Sequence, residues 1–215
     1  MVLSPLNAIL DDDAATRAGW DILDLARAYL DGGATFFQLR AKNRSGAWLL
    51  ETAEQLVAIA EPPRARVVIN DRADIARLAE AWGVHVGQED LTPAAVRRLI
   101  AADRIVGLST HSIAQLDDAV RQPIDYVAIG PVFGTASKHT GYDAIGLSLV
   151  EAAAARARPR GLPVVAIGGI TIDRAADVIR AGASSVAVIS DLLATGDPRA
   201  RVRQYLDKLR QIDGL

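Results

Sequence analysis

The sequence predicts an α/β fold, a single closed (β/α)8 TIM barrel, and three observations carry that expectation. Short apolar strands alternate with amphipathic helices eight times along 215 residues. Runs such as Val-Val-Ile at 67–69 and Val-Val-Ala-Ile at 164–167 are apolar on both faces. Such strands suit a parallel sheet covered by helices. No G-x-G-x-x-G follows the first strand, as an open dinucleotide-binding sheet would need, and eight units in one chain favour closure. The length fits a compact barrel, near the lower limit of about 200 residues. Residues 1–215 therefore read as one catalytic domain with no linker and no low-complexity segment.

In chain order, strands are expected to begin near Leu6, Thr35, Arg66, Gly83, Arg104, Tyr126, Val164 and Ser185. Helical periodicity fills the gaps. Ile75, Leu78, Ala79 and Trp82 fall at i, i+3, i+4 and i+7, as do Ile172, Ala175, Ala176 and Ile179. Val202, Tyr205, Leu206 and Leu209 repeat the pattern in the last helix. Glycine or aspartate marks several passages from helix to strand, as in Asp31-Gly32-Gly33, Trp82-Gly83 and Ala181-Gly182-Ala183.

Composition removes several classes of function. A net charge of -2 gives no basic footprint for nucleic acid, so any positive site must be local. There is no cysteine, hence no disulfide, thiolate metal site or thiol nucleophile. The first ten residues lack a basic region and run into Asp11, Asp12 and Asp13, which does not read as a signal peptide. No apolar run approaches the roughly 20 residues of a membrane helix. The expected compartment is the cytoplasm and the expected partners are small molecules, with neither nucleic acid nor membrane; a homodimer stays open.

In a barrel of this kind the chemistry lies at the C-terminal ends of the strands. The second strand ends in Q-L-R-A-K, where Gln38, Arg40 and Lys42 share one parity and point one way in extended chain. Two cations and an amide suit a phosphate or diphosphate. Asn70 and Asp71 follow the third strand, and His85, Gln88, Glu89 and Asp90 belong to the fourth. Magnesium takes one or two carboxylates and leaves its other positions to water and phosphate. Asp71 and Asp90 could form that half-site. Taken alone, each reads better as a cap on the helix that follows it; together, opposite the Arg/Lys cluster, they read as the metal site. Glu89 reads as surface.

The fifth strand places Ser109 and His111 at the mouth, and the parity of His85 could bury it in the barrel. The sixth runs into a long loop, G-P-V-F-G-T-A-S-K-H-T-G-Y, in which Thr135, Ser137 and Lys138 concentrate donors for an anion. Long loops in compact domains are usually functional. After the seventh strand Gly168 and Gly169 let backbone approach a phosphate, and a helix start near Ile189 and Ser190 after the eighth would add N–H groups. One barrel mouth thus offers a backbone phosphate site and a metal-assisted cationic site.

The motifs Q-L-R-A-K, V-I-N-D-R-A-D-I-A, G-V-H-V-G-Q-E-D, V-G-L-S-T-H-S, D-Y-V-A-I-G-P-V-F-G-T-A-S-K and V-V-A-I-G-G-I-T, in that order over nearly the whole chain, resemble the thiamine phosphate synthase family. The resemblance implies magnesium-dependent coupling of 4-amino-5-hydroxymethyl-2-methylpyrimidine diphosphate to a thiazole phosphate. It implies that Gln38, Arg40, Lys42, Asn70, Ser109 and Lys138 bind the pyrimidine diphosphate and that Asp71 and Asp90 hold magnesium. Thr135, Ser137, Gly169, Ile189 and Ser190 would bind the thiazole phosphate, and Arg40, Lys42 and Lys138 would act in catalysis. The chain departs from the family in carrying Gly134 where proline is common and Ser137 where threonine is common. The competing readings are a thiazole tautomerase with His111 as proton shuttle, another phosphate-binding barrel, and a non-catalytic metabolite sensor.

Overall fold

In a computed structural model that describes residues 2–61, 64–134 and 144–212, eight parallel strands close on themselves in sequence order. They are β1 (Leu6–Asp11), β2 (Phe36–Arg40), β3 (Arg66–Asn70), β4 (Gly83–Val86), β5 (Ile105–Thr110), β6 (Tyr126–Ile129), β7 (Val164–Ile167) and β8 (Ser185–Val188). The seam is the pairing of β1 with β8, where Leu6 meets Val186 and Ala8 meets Val188. Six strands begin on the residue expected from the sequence; those expected at Thr35 and Arg104 begin one residue later.

The helices around the barrel are α1 (Asp12–Arg17), α2 (Ile22–Asp31), α3 (Gly46–Ala60), α4 (Ala73–Leu78), α5 (Pro93–Arg97), α6 (Ile113–Ala119), α7 (Gly146–Ala157), α8 (Ile172–Arg180) and α9 (Pro198–Arg210). Several start on side-chain caps that satisfy otherwise orphaned N–H groups. Asp21 accepts from Leu23 and Asp24, Ser45 from Trp48, and Asp197 from Ala200. The periodicity read for the last helix holds, with Val202, Tyr205, Leu206 and Leu209 all buried in α9. In α8 Ala175, Ala176 and Ile179 are buried too.

The pattern from Ile75 to Trp82 overruns its helix. α4 stops at Leu78, which is 60% exposed, and the chain turns through Glu80 at φ 52°. An i+7 partner needs two full turns, and six residues do not supply them. Trp82 belongs instead to the entry of β4. Its ring meets Phe36 edge-on at 5.6 Å, and the Arg66 guanidinium lies over it at 4.5 Å.

Two apolar layers follow from the closed sheet. One lies between barrel and helices, built from residues such as Leu10, Leu39, Ile69, Val127 and Leu206. The other fills the barrel interior with Ile9, Phe36, Val68, Ile105, Tyr126 and Val165. Tyr126 reaches across this interior because β5 carries Gly107 opposite it; a Cβ there would stand 2.1 Å from Tyr126 Cζ. With its interior plugged, the barrel leaves its chemistry to the mouth.

Candidate active site

A cavity of about 910 Å³ opens at the C-terminal ends of the strands, and all eight contribute to its wall. Gln38, Arg40, Lys42, Asn70, Asp71, Asp90, Ser109, Gly169, Ile189 and Ser190 line it together. Thr135, Ser137 and Lys138 lie outside the described residues.

On the β1–β2 side, Asp11 stands in register with Arg40 and forms an ion pair with it. The other Asp11 oxygen accepts from the Ala14 N–H at 2.9 Å and caps α1. Asp12 is bidentate with Arg44, at 2.7 and 3.2 Å, and Asp13 accepts from Asn43 at 3.0 Å. The acidic run Asp11–Asp13, noted in the sequence only for ending an apolar stretch, thus fixes the loop that carries the cations. Asn7, another interior residue of β1 missed from the sequence, lines the cavity with its Oδ1 buried and unpartnered. Parity was the signal available, since Asn7, Ile9 and Asp11 alternate with residues that face the helices.

The β3–β4 side holds the two aspartates. Lys42 Nζ lies 3.3 Å from Asp71 Oδ2. Asp71 sits at φ 64°, in the left-handed region, and its N–H donates to the His85 carbonyl at 2.7 Å. Burial raises the Asp71 pKa above the ordinary carboxylate value; the adjacent Asp90 carboxyl pushes the same way and Lys42 opposes both. Asp90 Oδ2 accepts from the Gly87 N–H at 2.7 Å. Neither residue caps a helix. The N-cap of α4 is Arg72, with no side-chain cap bond, and α5 is capped by Thr92. Two carboxyl groups are therefore held against each other beside a lysine, and among the described residues no third acidic, histidine or cysteine side chain completes a cluster.

His85 is buried, as its parity allowed, and stacks on Tyr126 with ring centroids 5.5 Å apart. Its Nδ1 lies 2.9 Å from the Tyr126 hydroxyl and its Nε2 2.8 Å from Ser109 Oγ. Burial drives the Tyr126 pKa upward, so the phenol stays neutral. Gln88 donates to the Ser109 carbonyl at 2.6 Å, and His111 Nδ1 lies 2.5 Å from the Gly130 carbonyl.

Opposite the acids, Gly168 and Gly169 have φ of 103° and 62°. The loop after β6 lies directly on them: a Cβ at Gly168 would stand 2.5 Å from Pro131 Cα, and one at Gly169 2.5 Å from the Gly134 carbonyl oxygen. Val132 and Phe133 donate to the Ile167 and Gly168 carbonyls. These glycines thus accommodate a loop as well as exposing backbone. The helix start expected near Ile189 and Ser190 is a three-residue 3-10 turn, Ser190–Leu192. Asp191, unread in the sequence, is held there by Arg201. Arg174 also lines this wall, with its guanidinium 4.7 Å above the Phe133 ring.

The family model described as thiamine monophosphate synthase matches residues 6–192. This chain belongs to that family. Among curated members, the thiamine-phosphate synthase of Koribacter versatilis (strain Ellin345) is 43% identical over 86% of this chain and 84% of its own length. That of Synechococcus sp. (strain WH7803) is 42% identical over 92% of this chain; there the chain spans about half the relative's length, 54%. A solved structure, thiamine phosphate pyrophosphorylase from Pyrococcus furiosus, superposes with a TM-score of 0.86 at 28% identity and covers 98% of each chain. Thiamine monophosphate synthase relatives therefore span nearly all of the barrel described above.

Proposed function

We infer that this chain is a transferase that couples 4-amino-5-hydroxymethyl-2-methylpyrimidine diphosphate to a thiazole phosphate, giving thiamine phosphate and pyrophosphate. The observation that carries this reading is the meeting, in one cavity, of the Asp71–Asp90 pair and its neighbouring cations with the Gly168–Gly169 loop on the opposite wall. One side suits a diphosphate. The other suits a phosphate ester.

Asp71 and Asp90 fit a magnesium ion. Two carboxyl groups held together, one with a raised pKa, are a site short of positive charge, and a divalent ion that keeps water and phosphate ligands needs no third carboxylate. Bound there, magnesium would stabilise negative charge on the departing pyrophosphate. Arg40 and Lys42 would hold the diphosphate by charge and hydrogen bond, and Lys138 would follow the charge on the leaving group. Gln38, Asn70 and Ser109 would orient the pyrimidine, the Ser109 hydroxyl being placed by His85. Gly169, Ile189 and Ser190, with Thr135 and Ser137, would hold the thiazole phosphate.

Loss of pyrophosphate leaves a methylene cation delocalised into the aminopyrimidine, and the thiazole nitrogen captures it with its lone pair. No proton leaves the nucleophile, so no general base is required. Positioning and charge stabilisation supply the catalysis. The test mixes protein with both substrates and magnesium and looks for thiamine phosphate and pyrophosphate in equal amounts. A protein that binds both substrates without turnover would be a sensor instead.

A further inference from the structure

Asp191 stands where the two loops framing the proposed phosphate site come together. Its Oδ2 accepts from the Ile172 N–H at 3.1 Å, from the Tyr205 hydroxyl at 2.6 Å, and from Arg201 through Nη2 at 2.9 Å and Nε at 3.2 Å. Arg201 Nε also lies 3.2 Å from the Asp191 carbonyl, and the Tyr205 hydroxyl 3.3 Å from the carbonyl of Ile170. Ile170 belongs to the segment joining β7 to α8 and Ile172 opens α8, while Asp191 belongs to the turn after β8. Arg201 and Tyr205 stand four residues apart on one face of α9. A helix outside the barrel therefore reaches up and ties the two loops together.

The tie has an electrostatic side. Asp191 lines the cavity next to Ser190. A carboxylate there would repel a phosphate a few ångströms away unless a cation stood behind it. Arg201 is that cation, and the pair is shielded, with side chains 13% and 15% exposed. Burial and the neighbouring Asp191 push the Tyr205 pKa up, so its phenol remains a neutral donor.

We propose that Arg201 and Tyr205 are positioning residues for the acceptor phosphate. Acting through Asp191, they hold the Gly168–Thr171 loop against the turn after β8 and cancel the carboxylate charge that would oppose the phosphate. The proposal rests on reading these loops as the thiazole phosphate site.

The informative quantity is discrimination, the ratio of kcat/KM for the thiazole phosphate to that for its dephosphorylated alcohol. Arg201→Met should lower this ratio at least about tenfold, mainly through KM for the phosphorylated acceptor. Arg201→Lys should fall between that variant and the parent. Adding Asp191→Asn to Arg201→Met should restore much of the ratio, because the repelling charge is then gone. Tyr205→Phe, which keeps the ion pair and loses one hydroxyl, should lower the ratio less. Equal losses with both acceptors, or a double variant no better than Arg201→Met, would overturn the proposal. Should Arg201→Met fail to fold by circular dichroism, Arg201→Lys and Tyr205→Phe decide the matter on the same ratio. A parent with no synthase activity refutes the functional reading itself. Calorimetry with thiazole phosphate then asks the same of binding: weaker in Arg201→Met and recovered in the double variant upholds the tie, and unchanged affinity refutes it.

Discussion

Asp71 concentrates the chemistry of the site in one side chain, and its behaviour with pH is a direct check. Its pKa is raised, chiefly by burial and then by Asp90, so the folded metal-free protein holds this proton more tightly than the unfolded chain does. Folded stability in chelator should therefore fall as pH rises from the ordinary aspartate value, about 4, through the raised one. Magnesium should offset the loss, and its apparent affinity should weaken as pH drops and the proton competes. Melting temperatures across that range, with and without magnesium, measure both effects, and Asp71→Asn should flatten the two curves together. Curves that already coincide in the parent would deny the pair a metal. A second expectation concerns Lys138. If it follows charge on the leaving pyrophosphate, Lys138→Ala lowers kcat by roughly 100-fold, and a change in KM alone would show uniform binding instead. What could be read at this scale was residue type and parity. The pairing of Asp11 with Arg40 could not be, because it depends on β1–β2 register.

At the scale of elements, β5 and β6 show how one missing side chain makes room for a site. Gly107 admits the Tyr126 ring, Tyr126 engages His85, and His85 reaches Ser109 at the cavity wall. Gly107→Ala forces a methyl into a filled interior, a change that costs about 1–3 kcal/mol and occasionally more. Urea unfolding should show a lower midpoint at an unchanged slope, which separates lost stability from a changed unfolded state. A midpoint equal to the parent's would mean the ring moves aside freely. Strand positions were legible because each strand is a short apolar run bounded by polar or glycine residues. The end of α4 was not, because Trp82 continues a helical spacing after the backbone has turned at Glu80. Apolar periodicity records which residues are buried, and Trp82 packs against the barrel through Phe36 without belonging to the helix.

At the scale of the whole molecule, a barrel with a phosphate loop is shared by enzymes of different chemistry, so the fold does not choose between coupling and tautomerisation. The proposed reading rests on the charge layout. Arg40 is matched by Asp11, Lys42 by Asp71 and Arg201 by Asp191, so these three cations are already compensated. On that reading a diphosphate adds negative charge beside them, and a divalent ion at the Asp71–Asp90 pair would offset it. Coupling should then depend on Asp71 far more than on His111, whose Nδ1 already faces the Gly130 carbonyl. Asp71→Asn and His111→Gln, both confirmed folded by circular dichroism, should be assayed side by side for pyrophosphate release and thiazole isomerisation. The Asp71 defect in pyrophosphate release should be the larger by at least about tenfold, a barrier difference of about 1.4 kcal/mol. A tautomerase inverts the order: His111 becomes indispensable and Asp71 nearly silent, since moving a proton on the thiazole uses neither a diphosphate nor the ion that would accompany it.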